Sequence, residues 1–112
     1  MSSSPASPAD FQQALDLFRA QFAEQLPSRL EEVQEALHAW RAEPQSDERL
    51  RALHRVLHRL AGSAGTFGMP ALGEACRSVE LDVEELLARL TREGDDIDRI
   101  SRAIAQLGQV RA

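Results

Sequence analysis

Two histidines one helical turn apart have the clearest chemical potential in this sequence. His54 and His58 are followed by Gly62 and Gly65, and at about 100° per residue all four fall on one side of a helix. An imidazole with a free pKa of about 6.5 is available as a neutral nucleophile near physiological pH. Each glycine costs a helix about 1 kcal/mol relative to alanine, and its missing side chain leaves room for another molecule. We therefore interpret His58 as a reactive group that a second molecule approaches.

The same histidine pair also suggests a metal site, because zinc-binding histidines often lie four residues apart on a helix. A good zinc site needs a third and a fourth ligand. Cys76 lies on an apolar face of a later helix, and the sequence contains no His-Glu-x-x-His pattern. The sequence therefore predicts no metal site, and we expect Cys76 to be a small core residue.

The opposite side of the histidine helix is apolar. Hydrophobic residues recur there every three or four positions, at Leu50, Leu53, Leu57, Leu60, Ala64 and Phe67. This spacing predicts a helix that buries one side in a core. His58 lies roughly 130° from the centre of that apolar side, so its ring is expected to point into water.

The stretch around His58 resembles the histidine-containing phosphotransfer (HPt) domain of two-component phosphorelays. The family pattern is His, any residue, a hydrophobic residue, Lys, Gly and two small residues, with a further Gly near the end of the helix. The residues in register are His58, Leu60, Gly62, Ser63, Ala64 and Gly68. The Gly-Thr-Phe-Gly sequence at 65–68 is similar to that of chemotaxis-kinase phosphotransfer domains. The following helix also fits the family, with Leu72, Cys76, Val79 and Glu80.

This resemblance covers residues 50–90 and implies a function. His58 would accept a phosphoryl group from a receiver aspartate or a kinase and pass it to a receiver domain. The expected partners are a receiver (response regulator) domain, a hybrid sensor histidine kinase, or both. The receiver would also bring Mg²⁺, because this sequence has no Gly-rich nucleotide loop and no acidic triad to hold the metal. The chain is then a phosphotransfer protein without its own cofactor, and not an enzyme.

Two site features remain open at this stage. By its similarity to a glutamate of the chemotaxis kinases, Glu80 is the candidate that holds and orients the His58 ring; the alternative is a solvated surface glutamate. Ala61 stands where the family has a lysine, and Arg55 or Arg59 could replace that lysine, because a guanidinium pairs well with phosphate oxygens. The predicted residues for binding phosphate and partner are Arg55, Arg59, Gly62, Gly65 and His54.

Two other functions compete with the phosphorelay intermediate. The domain could dock a receiver or histidine kinase without transferring phosphate, with Ala61 having weakened the chemistry. It could also be a plain helical interaction domain of a larger sensor or output protein.

The composition is typical of one helical domain. The chain has 112 residues, 43% of them hydrophobic, with four Phe, one Trp and no Tyr. A net charge of −5 disfavours nucleic acid as a partner. A single cysteine is compatible with a reducing cytoplasm, and no apolar run is long enough for membrane insertion. We therefore expect a cytoplasmic monomer.

Apolar periodicity predicts four helical regions. The first runs from about residue 8 to 42, where Pro27 predicts a break or kink near 25–27 and two pieces over about 8–25 and 27–42. The first piece is expected to fold across one end of the bundle. The histidine helix is capped by Ser46 or Asp47 and runs to about Phe67, where Gly68 ends it.

The third predicted helix begins at Pro70, carries apolar residues as far as Leu90 and closes at Gly94. The fourth is capped by Asp95 or Asp96 and continues to Leu107. Together they predict an all-α fold: an up-down antiparallel four-helix bundle with an additional N-terminal helix or kink at Pro27. The bundle would span residues 8–112 and follow a disordered tail over residues 1–7.

Overall fold

The computed structural model describes residues 7–110 and contains four α-helices. They are α1 (Pro8–Ala42), α2 (Asp47–Thr66), α3 (Pro70–Leu87) and α4 (Gly94–Leu107). Each helix packs against the next one, and α4 also contacts α1, which closes the bundle. The predicted all-α bundle is confirmed, and residues 7–110 contain no strand. Of the predicted tail only Ser7 is described; its side chain accepts a hydrogen bond from the backbone N–H of Asp10 and caps α1.

One side of every helix contributes to a single core. The predicted apolar side of α2 is buried from Leu50 to Ala64, and Phe67 packs against it. Trp40 of α1 and Ile100 of α4 are fully buried. Within residues 7–110, no helix has the combination of length and apolar composition that crossing a bilayer demands.

The first helix is continuous for 35 residues, so the alternative of a break near residues 25–27, with two separate pieces, is wrong. Pro27 lacks the N–H that would bond to the preceding turn, at a cost of about 3 kcal/mol. Phe22 and Val33, on either side of it, are buried in the same core. Burial of such side chains contributes about 1.5–3 kcal/mol each, and this outweighs the local loss.

The N-terminal part of α1 therefore does not fold across the end of the bundle. It belongs to the same continuous helix and leaves Phe11 66% and Phe18 50% exposed. The molecule is accordingly elongated, measuring 64 × 26 × 19 Å.

The end of α3 also differs from the prediction. The helix ends at Leu87, and Leu90 is 98% exposed instead of packing against the core. Gly94 begins α4 and does not close α3. The N-cap of α4 is Glu93, whose backbone N–H donates to the Asp96 carboxylate at 3.0 Å.

A buried arginine explains why α3 ends early. Arg92 is 4% exposed, and its guanidinium donates to the Leu86 carbonyl at 3.1 Å and to the Asp47 carboxylate at 2.7 Å. The Gln45 side chain pairs with both the N–H and the C=O of the Arg92 backbone, at 3.0 and 2.8 Å. These bonds join the α1–α2 and α3–α4 connections. To form these bonds, the chain must turn before Leu90. Exposing Leu90 costs less free energy than leaving the buried Arg92 guanidinium unpaired.

A glycine of α3 lets α2 and α3 approach each other closely. A Cβ at Gly73 would lie 3.1 Å from the Ala61 carbonyl oxygen and 3.1 Å from the Gly65 backbone nitrogen. A Cβ at Gly62 or Gly65 would meet nothing within 4 Å. Close packing of the two helices therefore depends on Gly73, and the glycines beside His58 face open space.

This difference predicts opposite effects of two substitutions on stability. Gly62→Ala is expected to raise the free energy of unfolding by up to about 1 kcal/mol, because alanine is the better helix former. Gly73→Val is expected to lower it by about 1 to 3 kcal/mol, because the added atoms press on the α2 backbone. Urea unfolding followed by circular dichroism measures both. Equal shifts in the same direction would contradict the assignment of the close contact to Gly73.

Candidate functional site

The imidazole of His58 lies on the exposed flank of α2. Leu57 and Leu60 are buried, so the core sets the rotation of the helix and turns His58 outward. Its side chain is 67% exposed. Nδ1 lies 2.8 Å from Oε2 of Glu80, and Nε2 has no hydrogen-bond partner within residues 7–110. One ring nitrogen is thus held by α3 while the other faces solvent.

Glu80 is a buried carboxylate at the α2–α3 contact. It is 1% exposed, and Oε2 also forms an ion pair with Nη1 of Arg77 at 2.9 Å. Burial alone would raise the pKa of Glu80, but the hydrogen bonds and charges of His58 and Arg77 outweigh it and lower the pKa below the ordinary 4.5. The carboxylate is therefore ionised at neutral pH.

The ionised carboxylate determines the tautomer of His58. A carboxylate can only accept hydrogen bonds, so Nδ1 must carry the hydrogen that joins His58 to Glu80. In the neutral ring the lone pair is then on Nε2, the exposed nitrogen. This arrangement presents a nucleophile to solvent without a separate base.

His54 lies beside His58 and contacts the same carboxylate. Its Nε2 is 3.0 Å from Oε1 of Glu84 and 3.3 Å from Oε2 of Glu80. The two imidazole rings are nearly parallel, with 6.2 Å between their centres and 10° between their planes. His54 is therefore a neighbour that helps to surround Glu80, and its side chain is only 24% exposed.

Three of the arginines near His58 occupy different positions. Arg55 and Arg59 are exposed, line a cavity of 440 Å³ together with His58, and make no ion pair within the described residues. Arg77 lines the same cavity from α3 and is the one joined to the site by an ion pair, with Glu80. Sequence reasoning missed Arg77, although its position three residues before Glu80 places both on one side of a helix.

A groove between α2 and α3 opens beside the imidazole. It has a volume of 720 Å³, and its lining includes His58, Gly62, Gly65, Gly73 and Leu81. Leu81 is 47% exposed, and the two α2 glycines are open to solvent. The surface of the groove is mostly apolar, and His58 and Arg77 are among the polar residues that line it.

Cys76 is buried in the core, as predicted. Burial, together with the charge of Glu80, raises the pKa of its thiol to about 11. The thiol is therefore neither an exposed nucleophile nor available to the histidines as a thiolate at neutral pH.

The lowered pKa of Glu80 predicts a pH-dependent contribution to stability. Since the folded-state pKa lies below 4.5, the contribution is complete above the ordinary value and is lost as the pH falls through the lowered one. Glu80→Gln is expected to lower the free energy of unfolding by about 1 to 3 kcal/mol at pH 7. This difference should shrink below pH 4.5, whereas a constant difference would contradict the assignment. Urea unfolding over a pH series measures it, with the exposed Glu85→Gln as control.

Comparison with known proteins places the chain in a family. The model of the Hpt domain matches residues 17–110. That range contains the whole of α2, α3 and α4 and most of α1. Searches of curated proteins and of solved structures give no significant match. The match spans most of the chain and includes the histidine, both helices of the groove and Glu80, and we conclude that this chain belongs to the Hpt domain family.

Proposed function

We propose that His58 accepts a phosphoryl group on Nε2 from a receiver aspartate or a kinase and passes it to a receiver domain. Membership of the Hpt family supports histidine phosphotransfer in a phosphorelay. Nε2 is proposed as the acceptor atom because His58 Nδ1 is already paired, at 2.8 Å, with the buried Glu80 carboxylate. This pairing leaves the Nε2 lone pair exposed to a donor.

The proposed phosphoryl transfer does not require a proton to move. The Nε2 lone pair forms a bond to phosphorus while the bond between phosphorus and the donor oxygen breaks, and that oxygen leaves with the electron pair. Nδ1 keeps its proton, so the ring becomes positively charged, and Glu80 stabilises this charge. In onward transfer the receiver aspartate attacks phosphorus and the electron pair returns to Nε2.

The negative charge of the moving phosphoryl group also needs neutralisation. Mg²⁺ held by the receiver would supply part of it. On this chain we assign the main role to Arg77, since it is already fixed beside the ring by Glu80 and is 52% exposed, with further N–H donors available. Arg55 and Arg59, which line the cavity beside His58, would act as secondary cations.

The groove between α2 and α3 is the proposed docking surface. Gly62 and Gly65 offer no side chain that would keep a receiver away from His58. Leu81 presents an apolar contact in the same groove. One chain supplies the whole surface, so a monomer suffices, and we place the exchange in the cytoplasm, where a receiver or hybrid histidine kinase would meet it.

A second candidate function is docking of a receiver or kinase without transfer. Ala61 favours it, because the position at which the family has a lysine carries no charge here. The two functions share the groove and differ only in whether phosphate reaches His58.

Label transfer distinguishes the two. The chain, incubated with a phosphorylated receiver and Mg²⁺, is expected to acquire acid-labile, base-stable label. His58→Gln should abolish the label, because glutamine has no nucleophilic nitrogen. His38→Gln, which changes an exposed histidine on α1, should retain it. Binding of the receiver without any label would favour the docking module, and label that survives in His58→Gln would exclude His58 as the acceptor.

The arginine assignment predicts an order of effects on the transfer rate. Arg77→Ala is expected to slow labelling by about tenfold or more, because it removes a positioned donor. Arg55→Ala and Arg59→Ala should have smaller effects, since neither guanidinium is held at the ring. Arg77→Lys should recover part of the rate by restoring the charge. If Arg77→Ala is labelled at the normal rate while Arg55→Ala or Arg59→Ala is labelled slowly, phosphate is neutralised by Arg55 or Arg59 and not by Arg77.

A further inference from the structure

We propose that His54, Glu80 and Glu84 form a binding site for a divalent cation of the zinc type. The sequence offered only the histidine pair on one helix as possible ligands. The structure adds two carboxylates of α3, which are spaced four residues apart and face α2. This is a site for metal in addition to the proposed site for phosphate.

Geometry is the first support. The Nε2 atom of His54 and one carboxylate oxygen each from Glu80 and Glu84 all lie within 4.8 Å of one another. The two separations from His54 Nε2 are 3.0 and 3.3 Å. Zn²⁺ binds nitrogen and oxygen at about 2.0–2.2 Å, so neighbouring ligands in a tetrahedral site are about 3.3 Å apart. The two separations from His54 are therefore already near the value that a tetrahedral site requires, and water can complete the coordination.

The chemistry of the donors is the second support. One imidazole with two carboxylates is a set that suits zinc and similar borderline metals better than Mg²⁺ or Ca²⁺. Glu80 is 1% exposed, and its second oxygen, Oε1, has no hydrogen-bond partner among the described residues. A cation bound through Oε2 would compensate a carboxylate charge that water does not reach, and such compensation is worth more there than at the surface.

Arg77 opposes the cation in the present arrangement. Its guanidinium lies 2.9 Å from Oε2 of Glu80, the oxygen that the metal would use. The side chain is 52% exposed and can swing into solvent when a metal arrives. Metal binding and the Arg77–Glu80 ion pair are thus mutually exclusive. Removal of the Arg77 charge should therefore increase the affinity of the site for metal.

The metal would also compete with the ring of His58. Oε2 of Glu80 accepts the hydrogen bond from His58 Nδ1, and coordination of that oxygen weakens the bond. The tautomer that exposes the Nε2 lone pair would then lose its support. On the proposed function, zinc binding would slow phosphoryl transfer without touching Nε2 itself.

Titration of the metal-free chain with ZnCl₂, followed by calorimetry, tests the site. We expect one zinc per chain and an upward shift of the unfolding temperature that grows with zinc concentration. His54→Ala and Glu84→Gln should each weaken binding by about tenfold or more, and Arg77→Gln should strengthen it. The matched controls His38→Ala and Glu85→Gln should bind as the unmodified chain does. Absence of binding, or binding that His54→Ala and Glu84→Gln leave unchanged, would show a hydrogen-bonded cluster only and overturn the site.

A second measurement tests the competition and rests on the proposed function. Zinc added to the label-transfer assay should slow labelling of the unmodified chain and of Glu85→Gln. It should slow Glu84→Gln much less, and this comparison corrects for any effect of zinc on the receiver. Equal slowing of Glu84→Gln and Glu85→Gln would overturn the competition. A chain that takes no label even without zinc would refute the proposed function and leave the calorimetric result for the metal site standing.

Discussion

The hydrogen bond between a buried carboxylate and an exposed imidazole is the interaction on which the candidate site depends. Glu80 is almost fully buried, and a buried charge is costly unless it is paired. His58 and Arg77 share one of its oxygens, and their combined effect keeps the carboxylate ionised. The same oxygen thus orients the His58 ring, selects its tautomer and is positioned to stabilise the charge that the ring would gain in the proposed transfer.

This interaction is possible because the two helices that carry it are held at a close distance. Gly73 removes the side chain that would separate α3 from the α2 backbone. The buried Leu57 and Leu60 fix the rotation of α2, so His58 reaches the carboxylate from the solvent side. At the far end of the bundle, Arg92 and Gln45 join the two connections and so hold the ends of α2 and α3 in place.

Much of this could be predicted from the sequence, for reasons that lie within single helices. The periodicity of Leu50 to Ala64 was enough to place His58 on the outside of α2, and the family resemblance pointed to Glu80. Arg77 and Glu84 were missed because their contacts depend on the register between α2 and α3, which no repeat within one helix encodes. The exposed glycines were recognised, but the glycine that sets the helix separation, Gly73, was not.

Two of the errors in the predicted helices have a common cause. Pro27 and Leu90 were interpreted by local rules, a proline as a helix breaker and a leucine as a core residue. In the folded chain, burial of Phe22 and Val33 overrides the proline, and the pairing of the buried Arg92 with Asp47 overrides the leucine. In both cases long-range packing or pairing contributes more to stability than the local preference. Neither contact could be predicted without knowing which residues of the other helices lie nearby.

The position of the phosphoryl group on the ring tests the central claim most directly. Phosphorus and nitrogen NMR of the phosphorylated chain distinguish Nε2-phosphohistidine from Nδ1-phosphohistidine. The hydrogen bond from Nδ1 to Glu80 predicts phosphate on Nε2 of His58, with the Nδ1 hydrogen still present. A phosphoryl group on Nδ1 would contradict it, as would a free chain in which Nε2 of His58 carries the hydrogen.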